Sequence, residues 1–251
     1  MTAVYVVLFF VYGLIFGSFF NVVGLRVPKK ESIVTPPSHC NSCGRRLQLL
    51  ELIPVLSYLF LGGKCRTCGN RISWLYPLME FVTGVLYAYS FYHFGWSLEL
   101  IVALLLVSLL VIITVSDIAY MIIPDKVVLP FAAMFFVLRF FIPLEPWWDS
   151  LLGGAVGFAV LYLIAILSNG GMGGGDIKLF LVIGFAVGTV HTLLTLFLAS
   201  LIGSIVGIII LRKTGKGRKT PVPFGPSIAL AALIAYFWGA AFVDWYGNLF
   251  Q

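Results

Sequence analysis

Eight long apolar runs fill most of the chain and limit what it can become. They cover residues 1–25, 74–94, 98–116, 127–142, 151–167, 177–190, 192–211 and 227–245. A helix of about 20 apolar residues crosses a bilayer, and a water-soluble globule of 251 residues could not hide this much apolar surface. The composition agrees. Hydrophobic residues make up 61% of the chain and charged residues 10%, against roughly 25% charged in a soluble domain. A soluble enzyme, a disordered chain and a secreted disulfide scaffold are excluded. The expected fold is an all-α polytopic membrane protein of about eight transmembrane helices. The run 177–190 is short, and reads as a thin span or as part of a bent one with its neighbour.

The first run has no basic n-region and no small-residue cleavage site, so it reads as a span rather than a signal peptide. Its Gly13 and Gly17 form GxxxG, a pattern that lets two helix backbones approach closely. Asn21 follows on the same helical stripe. An interhelical hydrogen bond is its bland reading.

Charge tests the count of spans. Of sixteen Lys and Arg, eight fall between Arg26 and Arg71 and five between Arg212 and Lys219. With eight spans, the loops 26–73, 117–126, 168–176 and 212–226 share one side and hold 14 of the sixteen. By the positive-inside rule that side is cytoplasmic. Basic clusters in a soluble chain would point to nucleic acid, but here they flank spans, so no nucleic-acid partner is expected and the lipid bilayer is. The chain divides into a first transmembrane helix (1–25), a cytoplasmic insert (26–73) and a transmembrane bundle (74–251).

The insert holds all four cysteines, as two CxxCG motifs: Cys40 and Cys43 before Gly44, and Cys65 and Cys68 before Gly69. Two such knuckles present four thiolates tetrahedrally to zinc. Glycine after each second cysteine permits the tight turn. Disulfides, the alternative, are disfavoured in the cytoplasm. A site closed by four thiolates is structural, and it compensates for a core too small to fold alone. His39 is expected to be a neighbour, not a ligand. Residues 47–61, between the pairs, are apolar but too short and broken to span, and are expected at the membrane interface or against the bundle.

Several acids stand at membrane edges. Asp117 closes the third run, where a carboxylate opposes the helix dipole, and its neighbours are apolar. A structural design would avoid this, so function is favoured. Asp125 follows Pro124 and reads as an N-cap. Asp176 ends the run Gly170-Gly171-Met172-Gly173-Gly174-Gly175. A cap is its bland reading too, while a phosphate cradle would need the P-loop Lys-Ser/Thr that is absent. Asp117 and Asp176 fall on the same side at similar depth. Two carboxylates brought together share a proton, one acting as base and the other as acid, and can activate water for peptide hydrolysis without a metal. Glu80 is a third intramembrane acid. Two other classes fit parts of the pattern: a transporter or channel with intramembrane carboxylates, and a non-enzymatic zinc-bearing assembly factor.

The order and spacing of several fragments resemble the type IV prepilin peptidases, bifunctional enzymes of pilus, type II secretion and competence systems. The fragments are Gly17-Ser18-Phe19-Phe20-Asn21-Val22-Val23 with Arg26 and Pro28, the paired CxxC motifs, Tyr76-Pro77-Leu78-Met79-Glu80, Asp117 with Ile123-Pro124-Asp125, Met172–Leu179, and Pro223-Phe224-Gly225-Pro226. Gly173–Asp176 fits the GxGD signature of intramembrane aspartyl proteases. The resemblance implies that Asp117 and Asp176 are the catalytic pair. It also implies a bacterial inner-membrane enzyme that removes the leader of a prepilin or pseudopilin on the cytoplasmic side. The new N-terminal residue is then methylated with S-adenosylmethionine. Glu80, Asn21, Arg26 and Lys178 are implied to serve substrate or methyl-donor binding.

Overall fold

The computed structural model describes residues 2–168, 171–214 and 222–248. Gly170 and residues 215–219 of the second basic cluster lie outside them. All eight apolar runs are helical: α1 Thr2–Arg26, α3 Leu75–Phe94, α4 Glu99–Tyr120, α5 Asp125–Phe141, α6 Asp149–Leu167, α7 Gly174–Val187, α8 Thr189–Thr214 and α9 Gly225–Asn248. A short helix, α2 Leu56–Phe60, and a 3-10 turn at Leu49–Leu52 lie in the insert. No β-strand forms among the described residues. In lipid only helices satisfy every backbone group within one segment, so this all-α outcome follows from the composition.

Five helices, α1, α4, α6, α8 and α9, are long and apolar enough to cross a membrane. The other three are not. At 1.5 Å per residue, α5 and α7, with 17 and 14 residues, reach only about 25 and 21 Å, short of a hydrocarbon core about 30 Å thick. α3 has the length, but Glu80, His93 and four tyrosines make it less apolar.

By contacts the chain forms two compact units, Met1–Val115 and Ser116–Gln251, and α4 contributes residues to both. In the first unit α1 and α3 pack antiparallel over a glycine seam. A Cβ on Gly13 would come within 2.6 Å of the Thr83 carbonyl, and one on Gly17 within 2.9 Å of the Glu80 Cα. Nearer the α1 C-terminus, Asn21 Nδ2 donates to the Tyr76 carbonyl at 3.1 Å. The GxxxG expectation holds, and the bland reading of Asn21 is met in part. At the other end Phe9 stacks on Phe91, centroids 4.7 Å apart. Tyr87 and the Ser108 hydroxyl of α4 share a hydrogen bond at 2.8 Å.

In the second unit α6 and α7 meet through Gly153, Gly154, Gly157 and Gly184, none of which has room for a side chain. α7 and α8 are parted by one residue, Gly188, at φ +82°. The short run is thus a separate helix joined to its neighbour by a glycine break. Such a break strands helix-end groups in apolar surroundings, where each needs a partner. Arg139 of α5, itself buried, donates from Nε to the Ala186 carbonyl at 2.9 Å and also from Nη2. Asp149 of α6 accepts the Thr189 N–H with both carboxylate oxygens at 3.2 Å. A cation closes the C-terminus of α7 and an anion the N-terminus of α8, both matching the helix dipole.

Candidate active site and metal centre

In the second unit Asp117 and Asp176 line one cavity of about 520 Å³. Its wall includes Met121, Ile164, Ser168, Met172 and Phe224. Asp117 is buried in the last turn of α4, the position that the dipole argument marked as costly. Its Oδ2 accepts the N–H of Gly225 at 2.7 Å. Gly225 is the first residue of α9, so the positive end of a second helix offsets the negative end of the first. A Cβ on Gly225 would stand 2.9 Å from that Oδ2, so the close approach requires glycine. The sequence signal was Pro223-Phe224-Gly225-Pro226, in which Pro226 suits the first turn of a helix.

Asp176 lies in the first turn of α7, three residues past the N-cap Gly173. It is therefore not the N-cap. Its N–H donates to the Gly173 carbonyl at 3.1 Å, and a side chain on Gly173 would crowd the Asp176 carboxylate. Gly175 packs on Ile123, where a Cβ would approach the Ile123 Cβ to 2.7 Å.

The link between α4 and α5 touches the flanks of both acids. The Ser116 hydroxyl donates to the Ile122 carbonyl at 2.5 Å. Met121 turns the chain at φ +54°, a left-handed conformation uncommon for a residue with a side chain. Asp125 does not cap α5, because Pro124 holds that position. Its carboxylate instead accepts Lys178 Nζ at 2.8 and 2.7 Å. Lys178, expected at a substrate or donor site, is placed in this ion pair. Ser116 was not singled out from the sequence; only its place beside Asp117 could have flagged it.

The remaining expected residues lie in the first unit. Glu80 is buried, and its Oε2 accepts the Val55 N–H at 2.8 Å. Asn21 is buried one turn of α1 beyond Gly17, and its Oδ1 has no hydrogen-bond partner. Arg26 Nη1 holds the Ser32 and Pro36 carbonyls at 3.1 and 2.7 Å, which ties down the start of the insert.

The four cysteines converge, their Sγ atoms all within 4.8 Å of one another. Each pair forms the same knuckle. The Gly44 and Gly69 N–H groups donate to the Cys40 and Cys65 carbonyls at 2.9 Å, and both glycines are left-handed, at φ +70° and +68°. Backbone N–H groups of Cys68 and Thr67 hold the Cys65 thiol down to about 6, and those of Cys43 and Ser42 lower Cys40 likewise. The cysteines are free. The Cys40–Cys68 sulfur separation is 3.8 Å. A tetrahedron with metal–sulfur bonds of about 2.3 Å has edges of about 3.8 Å. The donor set therefore fits a tetrahedral metal ion. His39 instead bonds the Pro37 carbonyl at 3.0 Å, apart from the cluster.

Residues 11–94 match the bacterial Peptidase A24 N-terminal domain, and residues 104–208 match the type IV leader peptidase family. The chain is 43% identical over 237 residues to the prepilin leader peptidase/N-methyltransferase of Bacillus subtilis, covering 94% of this chain and 96% of that one. It is 34% identical to the proteins of the same name from Xanthomonas campestris and Pseudomonas aeruginosa, covering 93% and 90% of this chain and 91% and 88% of theirs. No solved structure shows a significant match. With both segments matched in order and near-complete coverage of such relatives, the chain belongs to the type IV leader peptidase family.

Proposed function

We propose that the protein is a membrane aspartic endopeptidase. It removes the leader from type IV prepilins or pseudopilins and then methylates the exposed N-terminal residue. The observation that carries this is the pair Asp117 and Asp176 on one cavity, with Asp117 oriented by the Gly225 N–H. One carboxylate takes a proton from the attacking water while the other gives one to the carbonyl oxygen; the first then passes its proton to the leaving amine as the second takes one back from the collapsing tetrahedral intermediate. Glycines 173–175 keep side chains away from an extended peptide. The transporter reading has no comparable support, since the relatives carry a hydrolase name.

The four thiolates leave no open coordination position, so the metal is zinc in a structural role. S-adenosylmethionine supplies the methyl group. Glu80, and Asn21 with its unpartnered Oδ1, are buried acceptors suited to a cationic amine or sulfonium. Arg26 and Lys178, both engaged within the chain, take part through the loop and the ion pair that they hold. The proposed topology keeps all eight helices as spans, α3, α5 and α7 being short ones, in the bacterial inner membrane. The basic loops, the insert 26–73 and the aspartates face the cytoplasm. Residues 1–25 form the first span and 74–251 the catalytic bundle.

Incubation of the purified protein with a prepilin and methyl donor, followed by mass spectrometry, tests the reading. Loss of the leader and gain of one methyl group are expected. An intact prepilin would refute it.

A further inference from the structure

The insert between α1 and α3 exposes an apolar stretch that the proposed reaction does not use. Along residues 49–60, Leu49, Leu50 and Phe60 are 86%, 74% and 86% exposed, and Leu52, Ile53, Leu56 and Leu59 are exposed as well. Burial of each such side chain is favourable, and seven clustered in water is an arrangement that a soluble surface avoids. The single charge in the stretch is withdrawn. Glu51 turns inward to Arg45 at 2.5 Å and to the Gln48 N–H at 2.8 Å, and its side chain is 6% exposed. The Gln48 N–H and the Arg45 guanidinium hold the Glu51 carboxyl below the usual carboxylate range, so it stays ionised and paired.

The height of this stretch is set by contacts within the first unit. α1 and α3 are antiparallel, so both ends of the insert leave from the same end of the helix pair. Val55 nevertheless hydrogen-bonds Glu80, five residues into α3 and about 7.5 Å along its axis. A glutamate side chain leans back toward the helix N-terminus, which still leaves Val55 beside the first turns of α3. The contact holds Val55 at φ +61°, a conformation costly for a β-branched residue. Val55, in the middle of the apolar stretch, is therefore held beside the first turns of α3, whose N-cap is the exposed Trp74. Exposed Lys29, Lys30, Arg46, Lys64, Arg66 and Arg71 flank it along the insert, and across 27–73 there are seven Lys and Arg against two Glu.

We propose that residues 49–60 form an interfacial anchor seated in an anionic leaflet. Leu49, Leu50, Leu56, Leu59 and Phe60 enter the boundary between headgroups and acyl chains, and the flanking Lys and Arg meet lipid phosphates. An apolar face set about 5–10 Å into the interface, flanked in sequence by cations that an anionic surface attracts, has this composition. The four-cysteine module is then a membrane-seated platform rather than a freely tethered domain. The inference rests on the bilayer location alone and is independent of the proposed reaction.

The test places a photoreactive benzoyl-phenylalanine at position 50 or 60 of the full chain, reconstituted in vesicles of phosphatidylcholine with or without phosphatidylglycerol. Position 7, on an exposed face of α1, reports that the protein is folded and inserted, and position 42, at a knuckle tip, is the aqueous control. Mass spectrometry after irradiation should show phospholipid adducts at 50, 60 and 7 but not 42. Adducts at 50 and 60 should increase severalfold with phosphatidylglycerol. Lipid adducts at 7 with none at 50 and 60 would overturn the proposal. So would adducts at 50 and 60 to an added substrate protein in place of lipid, which would make the surface a protein-docking site. Equal yields in the two vesicle types would overturn the anionic part.

Discussion

Gly225→Ala isolates the contact that orients Asp117. Gly225 opens α9 without a left-handed φ, so alanine suits the backbone there and on propensity alone would stabilise the helix by about 0.5–1 kcal/mol. The obstacle is local. The new methyl would lie 2.9 Å from Asp117 Oδ2, 3.0 Å from its Cβ and 3.1 Å from its Cγ. Ordinary contact between such atoms begins at about 3.5 Å, so the carboxylate or the start of α9 must shift by roughly half an ångström. That shift stretches the 2.7 Å bond from the Gly225 N–H, and a hydrogen bond to a charged group contributes about 1.5–3 kcal/mol.

Loss of half to all of that contribution corresponds to roughly a 4- to 150-fold slower reaction. We expect kcat for prepilin cleavage, followed by mass spectrometry in detergent, to fall by that factor. Thermal stability should fall by no more than about 1 kcal/mol, because the propensity gain offsets the crowding in part. Methylation of an already cleaved pilin should be unchanged. A folded Gly225→Ala protein that cleaves at the normal rate would refute the claim that this N–H positions the acid.

Four further outcomes are expected. Asp117→Asn and Asp176→Asn should each abolish cleavage while still methylating a pre-cleaved pilin; equal loss of both reactions in a folded variant would contradict separate sites. Asp125→Asn should slow cleavage no more than about fivefold, since the Lys178 pair is 43% and 52% exposed and such pairs are worth about 0.2–1 kcal/mol; a dead Asp125 variant beside an active Asp117 variant would show that the wrong acid has been paired. Metal analysis should find about one zinc per chain, and Cys40→Ser or Cys68→Ser should unfold the insert, as read by limited proteolysis. Arg139→Met should lower stability by about 2–4 kcal/mol in thermal unfolding, because the α7 terminal carbonyl loses its buried donors; an unchanged melting temperature would count against the clamp.

The helices were legible because lipid demands apolarity along a whole segment, and that demand leaves its mark in one dimension. The knuckles were legible because CxxCG encodes a turn within five residues. Asp117 could be singled out because a carboxylate at a helix C-terminus opposes the dipole, and Asp176 because a run of glycines leads up to it. What no local rule conveyed was the partner of each charge. Asp125 reads as a cap until Pro124 takes the position and Lys178, 53 residues away, takes the carboxylate. Nothing in the local sequence around Arg139 or Asp149 marks either as the partner of a helix end. Their role at the Gly188 break depends on α5 and α6 arriving together at one point of α7–α8.

The second unit follows one rule: its inward charges are matched by helix ends. Asp117 is met by the first N–H of α9, Asp149 by the first N–H of α8, and Arg139 by the last turn of α7, while Asp176 lies within the first turn of α7. With little water to solvate either partner, a carboxylate and an unpaired helix terminus each remove the other's cost. Such a solution requires helices that begin and end inside the protein. That accounts for α7 having only 14 residues, and for glycine-rich breaks preceding and following it. A continuous helix through 174–214 would satisfy its own backbone at 186–189 and leave no terminus there for Arg139 and Asp149 to close. The short helix is thus closed at its far end by this pair of charges, while its near end carries Asp176 to the cavity it shares with Asp117.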